Sequence, residues 1–313
     1  MNTTSKSFER ESSLFPEKET NIISASRRSD IPSFYARWFI ERIRAGYVIV
    51  RNPFNRNIVK RVSLEPVYVD AIVFWTRDGS PLFPFIEEII ERGYFVFFLW
   101  TITGYSAPME KYPVSIGRSL EWFQKFSDRI GADRMALRYD PIIITDEYAP
   151  DWHRKNFEKI SSELKGYTSR VIVSLMTPYS SAVRRMKNAG IDFETEPMKK
   201  SDVREMLKNI AEIAESNGQK IQSCSMAGEL ANLGIPDGAC IDSDWLSKSS
   251  GKNLPYIKDS GQRKNCLCTK SIDIGAYDTC PRGCLYCYAV KNFVRAEKFA
   301  KDFDIKSEGL YFQ

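Results

Sequence analysis

Seven cysteines lie in the last third of this chain, and none precedes Cys224. The densest run reads Cys266-Leu-Cys268 and then Cys280-Pro-Arg-Gly-Cys284-Leu-Tyr-Cys287. Thiolates are the ligands of iron–sulfur clusters, and spacings of three and two residues let one loop wrap a cube. Gly283 allows the bend such a wrap needs, because it has no side chain to hinder a tight turn. Three thiolates on a four-iron cube leave one iron open to a substrate or cofactor. A structural zinc takes four ligands, so the triplet alone is one short unless a fourth comes from elsewhere. Cys224, Cys240, Cys266 and Cys268 remain. Four is the complement of a second cluster or of an all-cysteine zinc site, although any one of them could be a small buried hydrophobe.

The single histidine, His153, excludes a His-rich zinc hydrolase site, a HExxH helix and a pair of catalytic histidines. It shares a helical stripe with Phe157, Ile160 and Leu164, which suits packing. The net charge of +5 comes from 45 basic and 40 acidic residues. That balance permits a nucleic-acid or phosphate-bearing partner without requiring one. No apolar run approaches the roughly 20 residues of a membrane span, and the first residues carry no signal-peptide core. With an odd number of cysteines this predicts reduced thiols in a cytoplasm.

Elements must bring these residues together. Apolar patterns predict strands at 22–26, 70–76, 95–100, 135–139, 171–175 and 220–224. Helices are expected at 32–45, 84–92, 115–130, 151–164, 180–189 and 200–216, with a hairpin insertion at 47–64 turning through Asn52-Pro53-Phe54-Asn55. Six strand–helix repeats imply a parallel sheet, and right-handed crossovers would curl it into a partial (β/α)6 barrel. No Gly-x-Gly-x-x-Gly follows a strand, which disfavours a doubly wound dinucleotide fold. The expected organisation is a loose tail at 1–20, a barrel at 21–235, a cysteine-rich metal-binding segment at 236–300 over the mouth, and a tail at 301–313. The ending Ser307-Glu-Gly-Leu-Tyr-Phe-Gln resembles a protease-site remnant.

Chemistry in such barrels gathers at the C-terminal strand ends. Arg27, Arg28 and Arg138 are candidates for gripping anionic groups. Asp30 and Asp140 would orient them or a ribose hydroxyl. Trp75, Trp100 and Tyr105 could stack an adenine or a substrate base, and Tyr286 would pack beside the metal.

Cys280-x3-Cys284-x-Tyr286-Cys287 resembles the signature of the radical S-adenosylmethionine superfamily, C-x3-C-x-aromatic-C. That resemblance implies a [4Fe–4S] cluster on the three cysteines, S-adenosylmethionine on the open iron, and its reductive cleavage to a 5′-deoxyadenosyl radical. It also implies a six-unit partial barrel, and with it goes an electron donor such as flavodoxin or ferredoxin. Here the motif follows the sixth strand, whereas the superfamily carries it after the first. Residues 21–300 also resemble the bacterial DUF1848 family through Ser24-Ala25-Ser26-Arg27-Arg28-Ser29-Asp30-Ile31-Pro32, Arg51-Asn52-Pro53-Phe54-Asn55, Arg138-Tyr139-Asp140-Pro141 and the run from Cys266 to Ala289. Position 29 is Ser where that pattern has Thr. The expected function is an iron–sulfur enzyme acting on a small-molecule or nucleotide-like substrate. The alternatives are an iron–sulfur electron-transfer or redox-sensing protein and a zinc-stabilised barrel that binds a ligand. Similarity of Cys284-Leu-Tyr-Cys287-Tyr-Ala to lyases that repair nucleic acid photoproducts leaves a nucleic-acid substrate open.

Overall fold

The computed structural model describes residues 20–53, 55 and 57–311. Residues 1–19 of the tail expected at 1–20, Phe54 of the expected turn and the last two residues lie outside the described residues. The elements run β1 (Asn21–Ala25), α1 (Ile31–Phe34), α2 (Ala36–Ala45), β2 (Tyr47–Arg51), β3 (Val59–Ser63), β4 (Val69–Thr76) and α3 (Ile86–Glu91). Then come β5 (Val96–Thr101), α4 (Ile116–Ile130), β6 (Met135–Ile142), α5 (Pro150–Glu163), β7 (Arg170–Leu175), α6 (Ser180–Asn188), α7 (Ser201–Ser216) and β8 (Lys220–Cys224). The chain continues through β9 (Asp237–Gly238), α8 (Ser243–Ser250), β10 (Ile272–Asp273) and α9 (Phe293–Asp302).

Eight of these strands form one sheet in the order β10-β1-β4-β5-β6-β7-β8-β9, and every pairing in it is parallel. The fold is an α/β half-barrel, a curled parallel sheet flanked by helices. Its six inner strands are the six predicted from apolar runs. The expected count of six is exceeded because the C-terminal segment adds a two-residue strand at each edge. β2 and β3 pair separately and antiparallel, as the insertion predicts. No helix among the described residues is long and apolar enough to cross a membrane.

Period-two alternation sorts the side chains between two faces. Ile72, Phe74, Phe98, Trp100, Leu137, Tyr139, Val171 and Val173 join a core with α2, α4, α5 and α7. Ala71, Val73, Trp75, Phe97, Leu99, Ala136 and Ile172 form the opposite core with Trp245, Leu246, Leu254 and four cysteines. The helices therefore cover one face, and the C-terminal segment fills the other. α4 illustrates the local logic: Ser115 caps it by accepting the Arg118 amide at 3.3 Å. Leu120, Phe123 and Ile130 then bury one stripe against the sheet.

Two expectations change. The helix from Pro32 to Ala45 is broken at Tyr35, which leaves helical geometry and ends α1. Its ring packs against Phe299 and Phe303, and its hydroxyl bonds the Thr279 carbonyl, so tertiary anchoring overrides the local pattern. The expected tail from 301 is packed as far as it is described. The Ser307 carbonyl accepts from Trp38 Nε1 at 2.9 Å, that of Glu308 accepts from the Ile49 amide at 2.8 Å, and Leu310 is buried.

Candidate metal centre and substrate cavity

The ends of six parallel strands open on one cavity of about 450 Å³. Ser26 to Asp30 follow β1, and Trp75 to Arg77 end β4. Thr101 ends β5, Arg138, Asp140 and Pro141 end β6, Ser174 to Thr177 end β7, and Cys224 and Ser225 end β8. This is the C-terminal rim, where the loops of a parallel sheet collect ligands. The C-terminal segment adds Cys240, Cys266, Cys268, Cys280, Cys284 and Cys287, so that with Cys224 all seven cysteines line this one cavity. Every one is a free thiol.

The triplet loop is held from three sides. Glu110, in the loop after β5, bridges Cys284 in antiparallel fashion. The Leu285 amide donates to the Met109 carbonyl at 3.0 Å, and the Lys111 amide donates to that of Gly283 at 3.3 Å. Gly283 adopts φ +77°, and a Cβ there would stand 2.6 Å from that of Lys111, so both conformation and close approach call for glycine. From α6, Arg185 donates through Nε to the Leu285 carbonyl at 2.9 Å and through Nη1 to that of Val290 at 2.9 Å. Its Nη2 donates to the Cys287 carbonyl. On the third side Arg282 reaches Asp30 at 3.3 Å and the hydroxyl of Ser33.

Burial pushes all three thiols up, Cys280 to about 11. Nearby guanidinium groups oppose that rise: Arg282 at Cys280, Arg77 at Cys284 and Arg185 at Cys287. The free thiols are thus neutral, while the site carries positive charge ready for thiolates. Among the described residues, no three histidine, cysteine, aspartate or glutamate side chains already stand in an arrangement that could hold a metal ion. The donor set itself fits an iron–sulfur cluster: three thiols on one loop, lining one cavity, with Nε of Arg282 buried and unpartnered beside them.

Of the residues expected from sequence, Arg27, Arg28, Asp30, Arg138, Asp140, Trp75 and Tyr286 line the cavity. Arg27 and Arg138 lie over the Trp75 ring, with guanidinium carbons 5.3 and 4.7 Å from its centroid. Arg27 also approaches Asp259 at 3.7 Å and bonds Ser271 at 3.2 Å, while its Nη2 is buried without a partner. Arg138 pairs with Asp140, which also accepts from Ser174. Asp30 is engaged within the protein: it accepts from the Ser33 amide at 3.1 Å, Thr76 at 2.7 Å and the Arg77 amide at 3.0 Å. It holds Arg282, not Arg27 or Arg28, and is a positioning residue.

Trp100 and Tyr105 do not line the cavity. Trp100 is fully buried among Phe98, Phe123 and Phe126 on the helix side, with Nε1 donating to Ser119 at 2.9 Å. The cause is parity: Thr76 pairs with Trp100, so Trp75 and Trp100 point to opposite faces. Tyr105 is buried against Tyr148 and Trp152, its hydroxyl donating to the Pro141 carbonyl and accepting from the Ile143 amide, both at 2.9 Å. His153 packs as expected, with Nδ1 2.9 Å from the Tyr139 hydroxyl and Nε2 3.0 Å from the Ile143 carbonyl.

Sequence reasoning missed a group of buried charges. Arg77 pairs with Glu110, which also accepts from the Tyr286 hydroxyl. Asp273 accepts from Ser24 at 3.0 Å, Ser26 at 2.7 Å, and the amides of Arg27 at 2.8 Å and Gly275 at 3.0 Å. It thereby stitches β10 to the end of β1. Only the Pro-Arg-Gly within the cysteine loop hinted at Arg282; the rest are unmarked in sequence.

Residues 22–289 match the DUF1848 family, described as a domain of unknown function, and the chain belongs to that family. No curated protein matches the chain.

Proposed function

We propose that this protein is an iron–sulfur enzyme similar to radical S-adenosylmethionine enzymes, in which Cys280, Cys284 and Cys287 hold a [4Fe–4S] cluster beside a substrate cavity. One observation carries the reading: the C-x3-C-x2-C triplet and six arginines, Arg27, Arg28, Arg77, Arg138, Arg263 and Arg282, line one cavity at the strand ends. The cluster, when bound, would supply one-electron chemistry with an iron left open for the amino and carboxylate groups of S-adenosylmethionine.

The chain's own residues would bind, orient and exclude. Arg27 and Arg138 carry buried nitrogens without partners, Nη2 and Nε respectively. Such donors suit a carboxylate or phosphate, because a buried N–H left without an acceptor is costly. Trp75 offers the aromatic surface between them. Tyr286 is tied to Glu110 and so fixes the last turn of the cysteine loop. A small anionic or nucleotide-like substrate fits this lining, and reduction calls for a flavodoxin or ferredoxin as electron donor. An electron carrier or redox sensor would need no such cavity, so the enzyme reading is preferred over it.

The test is anaerobic reconstitution with iron and sulfide, followed by S-adenosylmethionine and dithionite. Release of 5′-deoxyadenosine that disappears in Cys284→Ala is expected. A reconstituted cluster that yields none would remove the radical reading.

A further inference from the structure

Four further cysteines line the same cavity, and they come from three separate places. Cys224 ends β8, Cys240 follows the edge strand β9, and Cys266 and Cys268 lie in the segment before β10. Two of the sulfurs are in contact, Sγ of Cys240 lying 3.4 Å from that of Cys224, and Cys266 and Cys268 line the same cavity beside them, so an ion would have to draw the four together. The Ile241 amide also donates to Cys268 Sγ at 3.4 Å. All four side chains sit in the apolar core with Leu99, Ala136 and Ile172.

We propose that Cys224, Cys240, Cys266 and Cys268 form a second metal site, separate from the triplet, that binds one tetrahedral thiophilic ion of the zinc(II) class. Four buried cysteines used only as small hydrophobes would not need cations beside them. Here Arg27 and Arg138 line the cavity with them, both lying over the Trp75 ring. A four-thiolate ion carries two net negative charges, and charge buried in an apolar core is tolerated only when compensated. Arg27 and Arg138, both lining this cavity, are the positive groups placed to offset part of that charge. The triplet faces a different set of cations, Arg282, Arg77 and Arg185.

The spacing argues for one ion over a cube. Bonds of about 2.3 Å to one tetrahedral zinc place its sulfurs roughly 3.8 Å apart. The 3.4 Å between Cys224 and Cys240 is a few tenths of an ångström short of that edge. On a cube each thiolate binds its own iron, which spreads the sulfurs farther. The same distance exceeds the roughly 2.05 Å of a disulfide. A filled site would tie β8, β9 and the C-terminal segment together and so close one edge of the half-barrel.

This inference does not rest on the reading of the triplet, and the test separates them. The full chain is purified anaerobically, and zinc and iron are measured in the wild type, Cys284→Ala and Cys240→Ser. About one zinc per chain is expected in the wild type and in Cys284→Ala, with zinc lost and triplet iron kept in Cys240→Ser. Should Cys240→Ser not fold, cobalt(II) exchanged into the wild-type chain gives the second readout. Tetrahedral d–d bands with thiolate charge transfer are expected, together with at least a tenfold slower alkylation of the four thiols. Three results would overturn the proposal: zinc removed by brief dialysis against a weak chelator, a second set of about four irons that survives Cys284→Ala, or a Cys224–Cys240 disulfide in the native protein.

Discussion

Arg185 is the residue through which α6 holds the triplet loop, and its replacement by Met gives a sharp expectation. Arg185→Met keeps the length and the apolar stem but removes donors to the carbonyls of Leu285, Val290 and Cys287. Hydrogen bonds from a charged group contribute about 1.5–3 kcal/mol each. Arg185 is only half-buried, so water can replace part of them, and the three act as one unit whose effects do not sum. A net loss of about 2–4 kcal/mol follows, confined to the loop, because the sheet makes no use of this side chain. Free energies of that size correspond to roughly thirty- to several-hundred-fold in an opening equilibrium. Hydrogen–deuterium exchange should therefore accelerate by that factor at amides of residues 284–291, with the strand amides unchanged. Iron retained after reconstitution should fall in parallel. Loop exchange that stays at the wild-type rate would refute the argument that this arginine fixes the metal-binding turn.

Further outcomes follow from other buried groups. Glu110→Gln leaves the largely covered Arg77 opposite a neutral partner and should cost about 3 kcal/mol in urea denaturation; adding Arg77→Met should recover part of that, and strictly additive losses would count against the pairing. His153 is held down to about 4 by burial, below its usual ~6.5, so as pH falls the unfolded chain takes up the proton first. Its contribution is whole above about pH 6.5 and is lost as pH falls to about 4, roughly 3 kcal/mol in all; the stability difference between wild type and His153→Gln should shrink over that window, and a pH-independent difference would exclude the linkage. Trp100→Ala should cost about 3–5 kcal/mol of stability without changing affinity for S-adenosylmethionine, whereas Trp75→Ala should weaken that affinity at least tenfold; equal effects of the two on binding would contradict the assignment of faces.

The strands of the half-barrel are legible in sequence because a strand covered on both faces is a continuous apolar run, as Phe97-Phe98-Leu99-Trp100 is. The hairpin is legible from its turn residues. β9 and β10 are not, since two-residue strands carry no periodicity, and their pairing depends on long-range partners such as Asp273. For the site, residue type and strand end pointed to Arg27, Arg138 and Trp75, which line the cavity. Trp100 and Tyr105 were misjudged because nearness to a strand end was weighed without strand parity. Counting in twos along β5 from Phe97 or Leu99 would have sent Trp100 to the other face. Arg77, Glu110 and Arg185 were invisible, because an ion pair or a clamp across 33 or 102 residues leaves no local pattern. The convergence of Cys224 and Cys240 with Cys266 and Cys268 was suggested by their number; their contacts are a property of the folded chain.

The central claim concerns what the triplet holds. Iron and acid-labile sulfide should be counted per chain after anaerobic reconstitution, in the wild type and in Cys284→Ala. About four of each in the wild type, with iron lost in the variant, is the expected result. Wild-type protein that takes up no iron, or a variant that keeps its full complement, would contradict the account.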